Sequence, residues 1–301
     1  MSNELKIGFV GFGEAGFHLA KGLRGAGVAE IFAFDIHANT AGRGEKIRQR
    51  ASESGVNLLA SNQQLVGNSE VIFSTVTANQ TMEAAQQNAP YLTVQHIYAD
   101  LNSISPNLKK TIGGLIETHR AAFVEIAIMS PVPPHGHRVP MFLGGIHAPK
   151  FVELLSPFGM NLEIISEEIG AASATKMCRS IIVKGMEALL LECVLGAVPY
   201  GVDERVFATL EETMPGMHWK KMASYMVGRV LEHGERRARE LEEVAVTLRE
   251  IGVDPIMTEA IVKRQDWGAS LNLLAEFGGK PPEDYRTVVK AIAERKREVS
   301  E

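Results

Sequence analysis

Two hydrophobic periods divide this chain. Through its first half, short apolar runs with the length of buried strands alternate with stretches of helical spacing. The runs are Leu5–Val10, Glu30–Phe34, Val56–Leu59, Val71–Thr77, His96–Asp100, Ala122–Met129 and Pro140–Gly145. Between them lie helical patterns, the first with Ala15, Leu19, Ala20 and Leu23 on one face, a later one opened by Pro106, and a short one over Ala148–Ser156. Such alternation predicts an α/β doubly wound parallel sheet. From Ser166 on the strand signal stops. Helices are expected from Gly170, then over Asp203–Glu212, Met217–Glu232, Arg236–Ile251, Pro255–Phe277 and Pro281–Val299, punctuated by Gly201, Gly252 and Gly278–Gly279. The pattern therefore predicts two domains, 1–166 with the sheet and 167–301 all-helical.

The first of those helices, Gly170–Leu195, is apolar nearly all round after Ile181, which marks a buried helix. Yet Ser173, Lys176, Ser180, Lys184 and Glu187 fall on one face at helical spacing. A buried lysine is costly unless paired, so this stripe faces either water or a site. The apolar run is shorter than the about 20 residues a membrane span needs, and it carries charges.

Composition narrows the class. The chain is 45% hydrophobic and 22% charged, within the ordinary globular range. A net charge of −5 without a basic stripe excludes the electrostatic footprint of a nucleic-acid binder. Cys178 and Cys193 lie roughly 22 Å apart along one helix, too far to bridge. They read as buried thiols in a reducing compartment. The first strand begins almost at once, so the expected location is cytoplasmic.

The chemistry begins where the first strand ends. Gly11-Phe12-Gly13-Glu14-Ala15-Gly16 follows a strand and opens a helix, and Asp35 closes the next strand about 20 positions later. In this unit Gly11 permits the tight turn, Gly13 lets backbone approach a pyrophosphate, and Gly16 lets helix and strand pack closely. The free N–H groups of the helix start then face the phosphates. The sheet domain is thus expected to be a Rossmann domain for a dinucleotide. A carboxylate at Asp35 bonds both ribose hydroxyls and repels a 2′-phosphate, which favours NAD. His37, Arg43 and Lys46 follow closely and offer a phosphate a place, so NADP stays open.

Ligands of open α/β sheets sit outside the carboxyl ends of the strands. Val76-Thr77, Asn102-Ser103 and the loop Met129–His137 emerge there. A hydroxyl at Ser103 can serve the cofactor or the substrate; the competing role is a helix cap. His135 and His137 lack the third and fourth partners of a metal site, so no metal is expected.

These motifs resemble one family over essentially the whole chain: the β-hydroxyacid dehydrogenases, relatives of 6-phosphogluconate dehydrogenase. The likeness rests on Gly11–Gly16, on Asp100-Leu-Asn-Ser-Ile-Ser-Pro106, on Gly170-Ala-Ala-Ser-Ala-Thr-Lys176, similar to the family's glycine-rich approach to its lysine, and on Gly252-Val253 after a long helix. It implies that Lys176 is the catalytic acid/base, and that Ser103, Met129 and Ser130 face the substrate. The chain departs from the pattern in three places. Pro131, Pro133 and Pro134 replace a Ser-Gly-Gly loop, and proline has no N–H for a substrate carboxylate. Ser180 stands where the family has asparagine, and Arg239-Glu240 where it has a lysine–aspartate pair. The resemblance is therefore to an uncharacterised branch with a distinctive C-terminal domain and an unusual substrate.

The expected activity is hydride transfer between nicotinamide and a hydroxyacid-like alcohol or carbonyl. Burial and the neighbouring Arg179 and Lys184 would lower the Lys176 pKa toward the range a base needs. Ser180 and Lys184 are expected at the substrate, with Arg236, Arg237 or Arg239 as further anion binders. Alternatives are imine reduction on the same fold, against which Lys176 argues, and a non-catalytic NAD(P)-binding sensor. The partner is a small-molecule substrate, with no nucleic acid and no membrane. The apolar helix predicts a homodimer.

Overall fold

The Rossmann half is built outward from its first strand. The computed structural model describes residues 5–298, and the chain divides into two compact units, Met1–Lys176 and Met177–Glu301. That division falls inside a helix, later than the expected 166/167 boundary.

In the first unit the elements run β1 (Lys6–Val10), α1 (Glu14–Gly25), β2 (Glu30–Phe34), α2 (Arg43–Ser54), β3 (Asn57–Leu58), α3 (Asn62–Gly67), β4 (Val71–Ser74), α4 (Thr81–Asn88) and β5 (Ile97–Asp100). There follow α5 (Pro106–Thr118), β6 (Ala122–Ile128), a short α6 (Val132–His135), β7 (Met141–Gly144), α7 (Ala148–Leu155) and β8 (Leu162–Ser166). One sheet holds all eight strands in the order β3-β2-β1-β4-β5-β6-β7-β8. β1, β4 and β5 are buried on both faces, which is why their sequences are continuous apolar runs rather than alternating ones. One core, with Phe9, Phe73 and Phe151, covers one set of strand positions; a second, with Tyr98, Phe123 and Ile112, covers the other.

Two features depart from the expected parallel sheet. β7 runs antiparallel to β6. The link from β6 to β7 has no full crossover helix, and a parallel return needs one. β8, paired parallel to β7, was absent from the expected strands. It is a half-exposed edge strand, so its residues Leu162-Glu-Ile-Ile-Ser166 carry no buried-strand signature.

α8 (Ala171–Ala197) begins in the first unit and continues into the second. The second unit adds α9 (Asp203–Thr213), α10 (Trp219–Glu250), α11 (Ile256–Ser270) and α12 (Tyr285–Glu298). Its main core gathers Leu190, Leu191, Val194, Phe207, Trp219, Val227, Val230, Tyr285 and Val288. The two helices expected over Met217–Glu232 and Arg236–Ile251 are one, α10. Gly234 does not break it: a side chain there would stand 2.6 Å from the Gln265 carbonyl oxygen of α11, so glycine permits close helix packing. α11 ends before Phe277, and Val299 lies outside the described residues. No helix among the described residues is long and apolar enough to cross a membrane.

Candidate cofactor and active site

The glycine turn between β1 and α1 is built as its spacing demands. Gly11 has φ +79°, and a Cβ on it would lie 2.7 Å from Val76 Cγ1 and 2.8 Å from the Thr75 carbonyl oxygen. A Cβ on Gly13 would meet nothing within 4 Å, so backbone is presented to open space. On Gly16 it would press on Thr75 Oγ1 at 3.0 Å and the Gly11 carbonyl oxygen at 3.2 Å, the close approach of helix to strand. Thr75 Oγ1 donates to the Gly11 carbonyl at 2.7 Å and locks the turn. The Phe12 side chain is wholly buried, so this residue contributes backbone to the site.

Asp35 ties that turn to the next one. Its carboxylate accepts the Phe12 N–H at 2.8 Å through Oδ2 and the His37 N–H at 2.8 Å through Oδ1. A cavity of about 920 Å³ opens beside it, lined by Gly11, Gly13, Glu14, Ala15, Asp35, Val76 and Thr77. That volume lies within the range of small-molecule and cofactor clefts. Arg43, Lys46 and Arg50, all from one face of α2, line the same cavity. Sequence reasoning named the first two and missed Arg50. Its helical spacing from Arg43 and Lys46 was the available signal.

The strand ends next to this turn carry a buried polar network. Asp100, on β5, accepts from the Asn102 N–H and from Asn102 Nδ2, each at 2.8 Å, and pairs with Lys109 Nζ at 3.1 Å. Lys109 also donates to the Asp100 carbonyl at 2.7 Å, and Asn102 Nδ2 to Ser74 Oγ at 2.9 Å. Asp100 and Lys109 are both wholly buried. The loop that carries Ser103 is thereby fixed at Asn102. Ser105, not Ser103, caps α5 by accepting the Leu108 N–H at 3.3 Å. Ser103, Met129 and Ser130 are half-buried and lie outside the cavity lining.

Lys176 is half-buried in the first turns of α8. The start of that helix is held by a residue the sequence reading passed over. Glu125, buried in the middle of β6, accepts the Gly170 N–H at 2.5 Å and the Ser173 N–H at 2.7 Å. Its signal was a lone acid inside the apolar run Ala122-Phe-Val-Glu-Ile-Ala-Ile128. A buried carboxylate persists only where donors meet it.

Two charged members of the α8 polar stripe have ion-pair partners. Within the second unit, Lys184 is buried and its Nζ lies 2.8 Å from Glu240 Oε2. Burial lowers its pKa, against the pull of Glu240. Glu187 pairs with Arg237 at 2.7 Å and accepts from Gln265 Nε2 at 2.9 Å, while burial raises its pKa. Lys184, expected at the substrate, has an internal partner here: a charge inside a helix bundle needs one, and Glu240 provides it. The three arginines are engaged too, Arg236 with Glu240, Arg237 with Glu187, Arg239 with Glu242 and Asp266. Ser180 is half-buried. The cysteines are a correction: Cys178 is exposed and Cys193 half-buried, because the helix turns part of its apolar run outward. His137 is buried, and a side chain on Gly22 would collide with its ring.

Comparison with known proteins follows the same division. Residues 6–101 match the family described as "NADP oxidoreductase coenzyme F420-dependent", and residues 197–268 match a domain of unknown function, DUF1932. A conserved hypothetical protein from Sinorhizobium meliloti 1021 is 36% identical, with a TM-score of 0.82 over 98% of this chain and 97% of that one. An uncharacterized 28.5 kDa protein of Methanothermus fervidus is 31% identical over 84% of this chain and 94% of its own length. The conserved protein MTH1747, of unknown function and with structural similarity to 3-hydroxyacid dehydrogenases, is 32% identical. It covers 89% of this chain and 99% of its own, with a TM-score of 0.75.

Proposed function

Because the chain belongs to the β-hydroxyacid dehydrogenases, relatives of 6-phosphogluconate dehydrogenase, in a branch with its own C-terminal domain, we propose that it moves a hydride between a nicotinamide dinucleotide and a hydroxyacid-like substrate, with Lys176 as general acid/base. The first unit has an NAD(P)-binding oxidoreductase fold. The observation that carries the proposal is the cavity beside the glycine turn, with Asp35 on its wall. Its residues fit a dinucleotide. Gly13 exposes backbone, no side chain caps the start of α1, and its N–H groups are left to bind phosphate.

Bound nicotinamide would supply the hydride donor or acceptor. The chain's own residues do the rest. Lys176 takes the hydroxyl proton as the carbinol becomes a carbonyl, and returns it in the reverse direction. Ser103, held by the Asn102–Asp100 bonds, and Met129 and Ser130 face the substrate. Ser180 orients the amine or the substrate oxygen. The cofactor in this reading is NAD: the Asp35 carboxylate keeps lone pairs for ribose hydroxyls and repels a 2′-phosphate. Arg43, Lys46 and Arg50 form no ion pair among the described residues, and they favour NADP as the second reading.

The test is a screen of 3-hydroxyacids, aminoalcohols, sugar acids and cyclic imines with both cofactors, followed by nicotinamide absorbance. Turnover of a hydroxyacid is expected, falling about 10²–10⁴-fold in Lys176→Ala, the usual contribution of a general acid/base. Turnover of imines alone would move the reading to imine reduction. Cofactor binding with no turnover, unchanged in Lys176→Ala, would leave a binding protein and sink the enzyme reading. The second unit we read as the dimerising part, because Ile182 and Leu189, one heptad apart on α8, are 68% and 58% exposed.

A further inference from the structure

A wholly buried acid in the sheet holds the start of the helix that carries Lys176. Glu125 has no exposed surface, and every residue from Phe123 to Ala127 is buried with it. A carboxyl group buried so completely is costly unless its oxygens are hydrogen-bonded. Both of its oxygens are used, Oε2 by the Gly170 N–H and Oε1 by the Ser173 N–H. These are donors at the start of α8 that have no partner within the helix. The carboxylate also lies at the positive end of the helix dipole. Room for it is reserved in the next strand: a Cβ on Gly144 would stand 2.7 Å from Oε2.

The clamp has a second jaw. Gly170 has φ +107°, and a Cβ there would stand 3.1 Å from Lys110 Cε and 3.2 Å from Pro106 Cβ. The start of α8 is therefore pressed against the start of α5, directly after the loop that carries Ser103. In sheet register, Glu125 is the partner of Asp100. Two buried acids on adjacent strands thus fix the two segments that bear the candidate site residues. Asp100 holds Asn102 and so Ser103; Glu125 holds Gly170 and Ser173, one turn before Lys176.

We propose that Glu125 is a positioning residue for Lys176: its carboxylate sets where α8 starts, and so how the lysine stands relative to the Ser103 loop. The inference rests on the reading of Lys176 as acid/base for its purpose, but its test needs no substrate. Glu125→Gln keeps the shape of the side chain, loses the charge, and turns an NH₂ group toward one of the two N–H donors. Glu125→Ala removes both acceptors and leaves a void, so Glu125→Gln carries the decision.

Hydrogen exchange read by mass spectrometry on the full chain should show residues 168–176 exchanging about tenfold faster or more in Glu125→Gln, with β1 and β4 unchanged, on the scale of one lost charge-assisted hydrogen bond. The second readout is the ¹³C resonance of Lys176 after reductive methylation, assigned by its absence in Lys176→Arg. It should move in Glu125→Gln, which general loss of stability at another site would not cause. Unchanged exchange over 168–176, or an unmoved Lys176 resonance, would overturn the proposal. A uniform rise in exchange across the whole sheet would overturn it too, because Glu125 would then be a stabilising residue and nothing more. If both signals move but Lys176→Ala retains turnover, the clamp stands and the acid/base role falls.

Discussion

Asp35 shows how a single residue does two jobs. Its oxygens anchor the Phe12 and His37 amides, so the carboxylate both shapes the glycine turn and lines the cavity proposed for the cofactor. In Asp35→Ser, NADH should bind more weakly and NADPH more tightly, since Arg43, Lys46 and Arg50 then face a phosphate without a carboxylate beside it. Fluorescence titration should show roughly a tenfold change or more in each direction, the scale of one charged hydrogen bond. Gly11 is the converse case, a residue defined by what it lacks. Gly11→Ala puts a methyl group 2.7 Å from Val76 Cγ1 at a positive φ. Strain of about 1–3 kcal/mol is expected, read as a lower thermal midpoint together with lost cofactor binding. Both residues were legible because glycine spacing and a strand-end acid are local signals. Glu125 and Lys109 were not, because what makes them matter is a partner elsewhere in the chain: Gly170 and Ser173 for one, Asp100 for the other.

At the scale of elements, helices were easier to read than their ends. α10 was expected as two helices, over Met217–Glu232 and Arg236–Ile251, with Gly234 in the gap between them. The glycine instead lets α10 and α11 approach closely, which no period along the chain reveals. β8 was missed for the opposite reason, since an edge strand buries too little to leave a pattern. On α8, helical spacing puts Lys184 and Glu187 on one face, but their partners come from α10 and α11. The Glu187–Arg237 pair gives a direct check. Glu187→Leu alone should destabilise the protein by about 3–5 kcal/mol, because Arg237 is left buried without its anion. Adding Arg237→Met should recover most of that loss. Denaturant melts of the single and double variants measure both, and simple additivity would contradict the pairing.

For the whole molecule, the division into a sheet unit and a helical unit follows from a change of hydrophobic period, and the family resemblance extends through both. The exposed Ile182 and Leu189 support reading the protein as a dimer in solution. Sedimentation should find a dimer at micromolar concentration, and Ile182→Asp with Leu189→Asp should shift it toward monomer. A wild-type monomer would defeat that reading. The sequence by itself determined the Rossmann half, the glycine turn, Asp35 and the lysine-bearing helix, because each is written in local spacing and in the alternation of buried and exposed positions. Only the tertiary structure decided the antiparallel β7, the edge strand β8, the commitment of Lys184 to Glu240, and the hold of Glu125 on the start of α8. Those depend on which distant groups meet inside a low-dielectric core, where a polar atom takes a partner or is costly, and spacing along a chain does not encode the partner.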